Sequence, residues 1–377
     1  MAAPDPVPAA RLTPGNFLAA IGDEDLVHFT LNVGDGDTQL LCLPKGRDGG
    51  RRAIVVDVAT PKKLPALVLA LEAAKVLDDR RDLFALVVAT HPHLDHIGGM
   101  AEFLEQFHDH VTEFWEPGYY MTSATYVNVM NALEEHAIQV TQPTSGTAKF
   151  IGRVRVQALS PSIALRNRFD TYGVDPNNAS ITLKVEFPAT RIVDVPGEQR
   201  RYVPLRDKTR SLVLGADAQT LSWSYVLVDF PDLEPSENPI SKRLEMALGV
   251  DALSADVVKI SHHGSKHGVT LELVERISPK ASIVSSVAGL GKYGFPHSVA
   301  QDCIREGLQA TTSGQVRSKD FELGIHYTSG TDDAGAPLGT VGTIVPPPGK
   351  PVQVWRFGDL PGKKVDLKNA RRLVPSG

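Results

Sequence analysis

The sequence predicts an α/β fold in which strands and helices alternate through both halves of the chain. Three observations predict it. Short apolar runs rich in Val, Ile and Leu, among them Phe84–Thr90, Ser211–Leu214 and Asp256–Ile260, have the length and composition of buried strands. Stretches between such runs carry apolar residues at helical spacing: Leu64, Leu67, Val68 and Leu71, then Met100, Phe103, Leu104 and Phe107, then Tyr126, Val129, Met130 and Leu133. Several apolar runs also end in polar clusters of His and Asp, where a buried strand fixes the backbone and its tip reaches solvent.

Taken in order, residues 1–25 open on Met1-Ala-Ala-Pro-Asp-Pro-Val-Pro8 and read as a flexible arm; they lack the basic segment and apolar core of a secretory signal. From Leu26 to Pro44 the chain reads as a strand, a tight loop at Gly34-Asp35-Gly36-Asp37 and a returning strand. Ala53–Asp57 is a third strand, and Pro61 opens the first helix. Gly152–Leu159 and Ser180–Phe187 begin the strands of the second half. Residues 188–210, with scattered Arg, Asp and Glu, read as a surface insertion. Ser211–Leu214 resumes a buried strand, and Ala281–Ser286 is the last clear one. The break at Val345-Pro-Pro-Pro-Gly349 closes a main domain of residues 26–345 and leaves 346–377 as an extension with a basic, solvated stretch from Lys363 to Arg372.

Composition narrows the class. With 42% hydrophobic and 22% charged residues, 377 residues make a globular protein of one large or two ordinary domains, and no run has the length of a membrane span. A net charge of -5 argues against coating long nucleic acid and leaves only a local basic groove open. Cys42 and Cys303 lie in apolar segments, with no Cys or His neighbour at zinc-site spacing. They read as buried thiols of a protein in a reducing cytoplasm. No P-loop, dinucleotide glycine fingerprint, Cys-x-x-Cys pair or nucleophile elbow is present.

The most informative stretch is His91-Pro-His93-Leu-Asp95-His96, which follows the buried run Phe84–Thr90 and precedes Gly98-Gly99. In extended chain, residues two apart point the same way, so His91 and His93 can converge on one cation. As the chain turns, Asp95 and His96 can swing to a second position beside it. Imidazole with carboxylate suits zinc or a similar borderline ion. Two further strand ends present Asp217, after Gly215-Ala216, and His262-His263. Alone, Asp217 is an ordinary helix N-cap; with the histidines it is placed to bridge two cations. Adjacent residues cannot both face one ion in extended chain, so one of His262 and His263 is expected on the metal and the other on substrate or leaving group. Asp37 and Asp57 are expected to brace the ligand rings by hydrogen bonds. Lys259 and Lys266 flank the histidine pair and can offer charge to an anionic substrate, and His297, after a proline turn, can reach the site mouth.

The His-x-His-x-Asp-His pattern resembles the signature of the metallo-β-lactamase superfamily, matched at every position. Four more blocks resemble one branch of it, the soluble domain of DNA-uptake competence proteins and related phosphodiesterase-like hydrolases. These are Asn32-Val-Gly-Asp-Gly-Asp37, Asn177-Asn-Ala-Ser180, His262-His-Gly-Ser265 and Tyr293-Gly-Phe-Pro-His297, in the branch's order. The resemblance implies a four-layer αββα sandwich with the metal cleft along one edge of the paired sheets. It implies one or two ions, Zn2+ or Mn2+, held by His91, His93, Asp95, His96, Asp217 and His262 or His263. The superfamily's usual third histidine of the first site is missing: His108, His110 and His136 lie in predicted helices, and Asn177-Asn178 stands in that place, with Asn178 a candidate for substrate contact. The function so implied is a hydrolase using metal-bound hydroxide, with Asp95, His262 and His263 as catalytic groups. Its expected substrate is a phosphodiester, a small nucleotide or short nucleic acid. A lactone, ester or β-lactam is the alternative substrate, and a non-catalytic metal-binding module the alternative role. No membrane and no stable protein partner is implied.

Overall fold

The computed structural model describes residues 10–375 except 170–172, 189, 194–200, 205–208, 232–237, 241–251, 288–290, 309–319, 321–322 and 333. In chain order its strands are β1 (Ala10–Pro14), β2 (Leu26–Thr30), β3 (Thr38–Cys42), β4 (Ala53–Val58), β5 (Phe84–Val88), β6 (Phe114–Trp115) and β7 (Val140–Thr141). The second half adds β8 (Ala148–Ile151), β9 (Val154–Ala158), β10 (Leu183–Phe187), β11 (Thr190–Val193), β12 (Arg201–Pro204), β13 (Arg210–Leu214), β14 (Val257–Lys259), β15 (Ala281–Val284) and β16 (Ile325–Tyr327). The chain ends on β17 (Val341–Val345), β18 (Gln353–Arg356) and β19 (Arg371–Pro375).

Two large sheets result. One runs β1-β19-β18-β17-β2-β3-β4-β5-β6-β7, the other β16-β15-β14-β13-β10-β9-β8, and β11 with β12 forms a separate ribbon. Alternation along each strand explains why the sheets stack between helices, since successive side chains enter opposite layers. In β13, Leu212 and Leu214 face the core between the sheets while Val213 faces the outer helices; in β14, Val257 and Val258 divide the same way. In β3, Leu41 enters the inter-sheet core and Leu40 the layer beneath helices Lys63–Ala73, Met100–Phe107 and Ala124–Glu135. Helices Thr220–Asp229, Leu271–Ile277 and Ser298–Gly307 cover the second sheet. The order of layers is helix, sheet, sheet, helix, the α/β sandwich expected.

Both chain ends correct the sequence reading. Of the segment expected as a flexible arm, residues 1–9 lie outside the described residues, while Ala10–Pro14 pairs antiparallel with β19 and Phe17 is fully buried. Phe17 packs edge-on to Phe29, Trp355 and Phe357, at centroid separations of 5.5, 5.5 and 5.0 Å. The extension expected at 346–377 supplies β18 and β19 to the larger sheet. A polar surface on these segments hid the few apolar anchors that dock them. Of the expected insertion at 188–210, the described part includes the β11–β12 ribbon. Cys42 is buried as expected, whereas Cys303 is partly exposed; both are free. Among the described residues, no helix is long and apolar enough to cross a membrane.

Candidate metal centre

Parallel pairing of β4 with β5, with Val56 opposite Val88, sets Asp57 beside Thr90 at the strand ends. Asp57 accepts hydrogen bonds from the Thr90 N–H at 2.8 Å and the Thr90 hydroxyl at 2.7 Å. The same carboxylate lies 2.7 Å from His96 Nδ1, which fixes that ring and leaves Nε2 to point outward. His93 caps a short helix, Leu94–Ile97, whose turn carries Asp95 and His96 inward from the strand. The glycine loop between β2 and β3 packs directly on this turn. A Cβ at Gly36 would stand 2.5 Å from the Asp95 carbonyl oxygen, and Gly36 has φ +142°, so this position needs glycine. The Asp37 N–H donates to the same carbonyl at 3.0 Å.

From the second sheet, β13 and β14 run parallel and end together. Asp217 follows Ala216, whose φ is +46°. His262 and His263 both take left-handed backbone, with φ +48° and +53°. This overturns the extended-chain premise for the pair, because a left-handed turn lets neighbouring side chains aim at one carboxylate from two sides. Asp217 Oδ1 lies 3.3 Å from His96 Nε2 and 3.5 Å from His263 Nε2, while Oδ2 lies 3.6 Å from His262 Nε2 and 4.0 Å from His91 Nε2. Asp95 Oδ2 is 3.7 Å from His263 Nε2.

Asp95, His96, Asp217 and His263 can all place a donor atom within 4.8 Å of the others. His96 Nε2, His263 Nε2 and Asp217 Oδ1 are moreover buried without a hydrogen-bond partner. Three converging, unpaired polar atoms are costly in a protein interior unless something satisfies them, and imidazole with carboxylate is the donor set of a zinc-like ion. The residues present fit the group. His91, His93 and His262 are less converged: His91 Nε2 is 3.1 Å from His93 Nδ1, and only His91 and His262 approach Asp217 Oδ2. His108 and His136 stack on each other at 3.9 Å at a separate surface.

The electrostatics run the same way. Burial disfavours charge on His263, yet Asp217, with Asp95 and Asp37 behind it, more than offsets this and pushes the imidazole up to about 10. His96 rises well above the ordinary imidazole value against its own burial, under the charges of Asp217 and Asp57. Asp217 falls well below the carboxylate range, burial being outweighed by His263 and His96. Burial, reinforced by the neighbouring His96 charge, depresses His91, and burial also lowers His262. The Asp217 pocket therefore holds positive charge on its own imidazoles, in the place a cation would take.

Three of the expected substrate contacts are placed otherwise. Lys259 is fully buried; its ammonium pairs with Asp37 and donates to the Ala216 carbonyl at 3.3 Å, so it braces the loops and does not meet substrate. Its single position in β14 points inward because neighbours Val258 and Ile260 face the opposite layer. Asn178 is buried, and its carboxamide oxygen accepts the Ser222 N–H at 3.1 Å, tying the turn Pro176–Ala179 to helix Thr220–Asp229. His297 Nδ1 accepts the Lys266 N–H at 3.0 Å, which makes it a clamp on the histidine turn. Lys266 itself is exposed beside that turn. Asp37 sits behind the site, with Oδ1 3.9 Å from His263 Nδ1. Sequence reasoning missed Ser285, whose carbonyl oxygen lies 2.8 Å from His263 Nδ1, and Gln219, 3.5 Å from both Asp175 and His262 Nδ1. A main-chain carbonyl leaves no sequence signal.

Fold and site together define a protein of the α/β sandwich class with a histidine and aspartate metal centre at the strand ends. Residues 47–164 match the family model described as Metallo-beta-lactamase superfamily, a segment that holds the whole His91–His96 motif. The match covers under a third of the chain, and the two stacked sheets between helices are consistent with the metallo-β-lactamase fold. Similar solved structures include the diiron β-hydroxylase CmlA from Streptomyces venezuelae, at 15% identity and a TM-score of 0.39 over 78% of this chain and 52% of that one. A B3 metallo-β-lactamase with an active-site glutamic acid matches at 14% identity and a TM-score of 0.34, covering 82% and 96%. The metallo-β-lactamase fold protein YhfI from Bacillus subtilis matches at 10% identity and 0.37, covering 80% and 96%. The chain thus spans about half the length of the hydroxylase, and these likenesses carry no argument about the reaction. No curated protein matches the chain.

Proposed function

We propose that this protein is a metal-dependent hydrolase acting on a phosphodiester, with a divalent ion held by Asp95, His96, Asp217 and His263. The observation that carries the metal is the meeting of three buried, unpaired donor atoms on one side of Asp217. Zn2+ or Mn2+ is the ion we propose, and a second ion would sit between His91, His93, His262 and the other Asp217 oxygen. A bound divalent ion supplies acidity to water, lowering its pKa from 15.7 to about 7.

The chain's own groups do the rest. Asp57 and the Ser285 carbonyl hold the two imidazoles in one orientation and one tautomer. Asp95 is the carboxylate that reaches solvent, its side chain 38% exposed against 3% for Asp217, so it is the group able to take a proton from the attacking water. His262, partly exposed and lowered by burial, is neutral at pH 7 and available to ligand or leaving group. The phosphodiester reading is supported by the four sequence blocks at 32–37, 177–180, 262–265 and 293–297 and by the exposed Lys266 and Lys292, which fall in or beside two of those blocks of a net acidic chain.

The test is turnover of bis(p-nitrophenyl) phosphate beside a lactone and a β-lactam panel, each with added Mn2+ or Zn2+, after metal analysis of the purified protein. Diester turnover that needs the ion is the expected result. Turnover confined to lactones or β-lactams overturns the substrate, and failure to retain any ion after reconstitution overturns the enzyme.

A further inference from the structure

Of the segment Tyr293–His297, His297 clamps the histidine turn, while Tyr293 and Phe295 take no part in the metal centre and are packed against it. Phe295 is buried and lies parallel to the His263 ring, at 5.8 Å and 29° between planes, with His262 at 5.2 Å. Tyr293 lies parallel to Phe295 in turn, at 5.6 Å and 25°. A column of three rings therefore leads from a ligand imidazole out to a tyrosine that is 56% exposed. The column is held from below. The His297 N–H donates to the Gly264 carbonyl at 2.9 Å, its ring accepts from Lys266 N–H, and Pro296 lies so close to Gly264 that a Cβ there would stand 2.5 Å from it.

An isolated exposed tyrosine is ordinary on a protein surface. This one is placed by packing: Tyr293 lies on Phe295 and Phe295 on His262 and His263, while His297 two residues further on is hydrogen-bonded to the histidine turn. Cations stand beside it. The Lys292 ammonium is 5.1 Å from the Tyr293 ring centre, and Lys266 is exposed on the turn that His297 clamps. An aromatic platform with adjacent lysines is how proteins hold a base and its flanking phosphate, since every base has a face to stack and every linkage a charge.

Resting on the phosphodiester reading, we propose that Tyr293, supported by Phe295, stacks a nucleobase of the substrate while Lys292 and Lys266 take the flanking phosphate charge, so that the substrate is a nucleotide diester. Tyr293 is a specificity-determining residue and takes no part in proton transfer.

The experiment compares thymidylyl-thymidine with the same diester carrying an abasic sugar in place of either base, in wild type, Y293A, Y293F and Y293W. Stacking is worth about 1–3 kcal/mol per base, so wild type should favour the base-bearing diester in kcat/KM by about five- to hundredfold. That ratio should fall toward one in Y293A and survive in Y293F and Y293W. Equal use of both diesters by wild type, or an undiminished preference in Y293A, overturns the platform. If wild type turns over neither diester, the phosphodiester reading fails separately. Equilibrium binding of the dinucleotide, followed by NMR, then decides the platform: fivefold or greater weakening in Y293A supports it, and unchanged binding overturns it.

Discussion

The two sides of Asp217 are built to different standards. On the Oδ1 side, His96 is held by Asp57, His263 by the Ser285 carbonyl, and the loops behind them by the buried Lys259–Asp37 pair. On the Oδ2 side, His91 Nδ1 lies 3.2 Å from the Thr90 hydroxyl while its Nε2 faces His93, and His262 has a 3.5 Å approach from Gln219 at its inner nitrogen, so only one of these three rings has a close partner behind it. Ligand rings fixed by partners lose little freedom when an ion binds, whereas rings that must first separate and turn lose more. Under the proposed function, the difference makes the Oδ1 side the ion position prepared by the fold and the Oδ2 side the one completed on binding.

Removing ligands tests this most severely. H263A and H96A should retain no tightly bound ion and lose turnover to background, because each removes a donor from the prepared position. H262A should retain one ion per chain, measured by elemental analysis after dialysis, and lose affinity only for a second. Equal ion loss in H262A and H263A would erase the distinction between the two sides.

The pair behind the prepared side comes next. Replacing Lys259 by Met leaves the Asp37 carboxylate buried and uncompensated, and breaking a buried pair by removing one partner costs about 3–5 kcal/mol. Chemical denaturation of K259M should show a loss of that order, and the double variant D37N/K259M should recover part of it. A K259M as stable as wild type would mean that the pair braces nothing.

Acidity sharpens the same contrast in the chelator-treated protein. His263 stands at about 10 when folded against about 6.5 for an ordinary imidazole, so its charge favours the folded state fully below pH 6.5. That contribution is lost as pH rises through 10. The thermal midpoint of the chelated protein should fall between pH 6.5 and 10, and H263A should flatten the slope. Since His96 and His263 must shed protons to bind an ion, metal affinity should rise over the same interval. A chelated wild type with a flat profile there contradicts the assigned charge.

How much of this was legible in the sequence follows from what kind of interaction placed each residue. The elements were legible, because the buried runs of β5, β13 and β14 and the helical spacing at Leu64–Leu71 and Met100–Phe107 are local patterns, whereas the order of the layers came from the resemblance. Asp95, His96 and Asp217 were legible as strand-end candidates, whereas the sequence left open which of His262 and His263 joins them. Lys259 was misread because sequence shows a lysine beside the histidines and does not show that β14 is covered on both faces. The aim of His262 and His263 was hidden in two adjacent left-handed residues, a conformation uncommon outside glycine even though histidine is among the residues enriched in it. The edge strand β1 was hidden because it owes its place to β19, more than three hundred residues away in sequence.

Asp57 offers the finest cut between the two sides. Its carboxylate takes both the Thr90 donors and faces His96 Nδ1, so it joins β4 and β5, holds His96 directly and reaches His91 only through the Thr90 hydroxyl. D57N keeps the volume and loses the charge that holds the His96 ring with its outer nitrogen free. Loss of such a partner lowers metal affinity about 10- to 100-fold. Competition against a chromophoric chelator should show that drop at the first, tighter binding step, with a smaller change at the second. A change confined to the second step would place Asp57 behind the wrong ion. Because Asn can still accept from the Thr90 hydroxyl, the strand ends stay joined, and a large loss of folding stability in D57N would show that the residue serves the sheet more than the histidine.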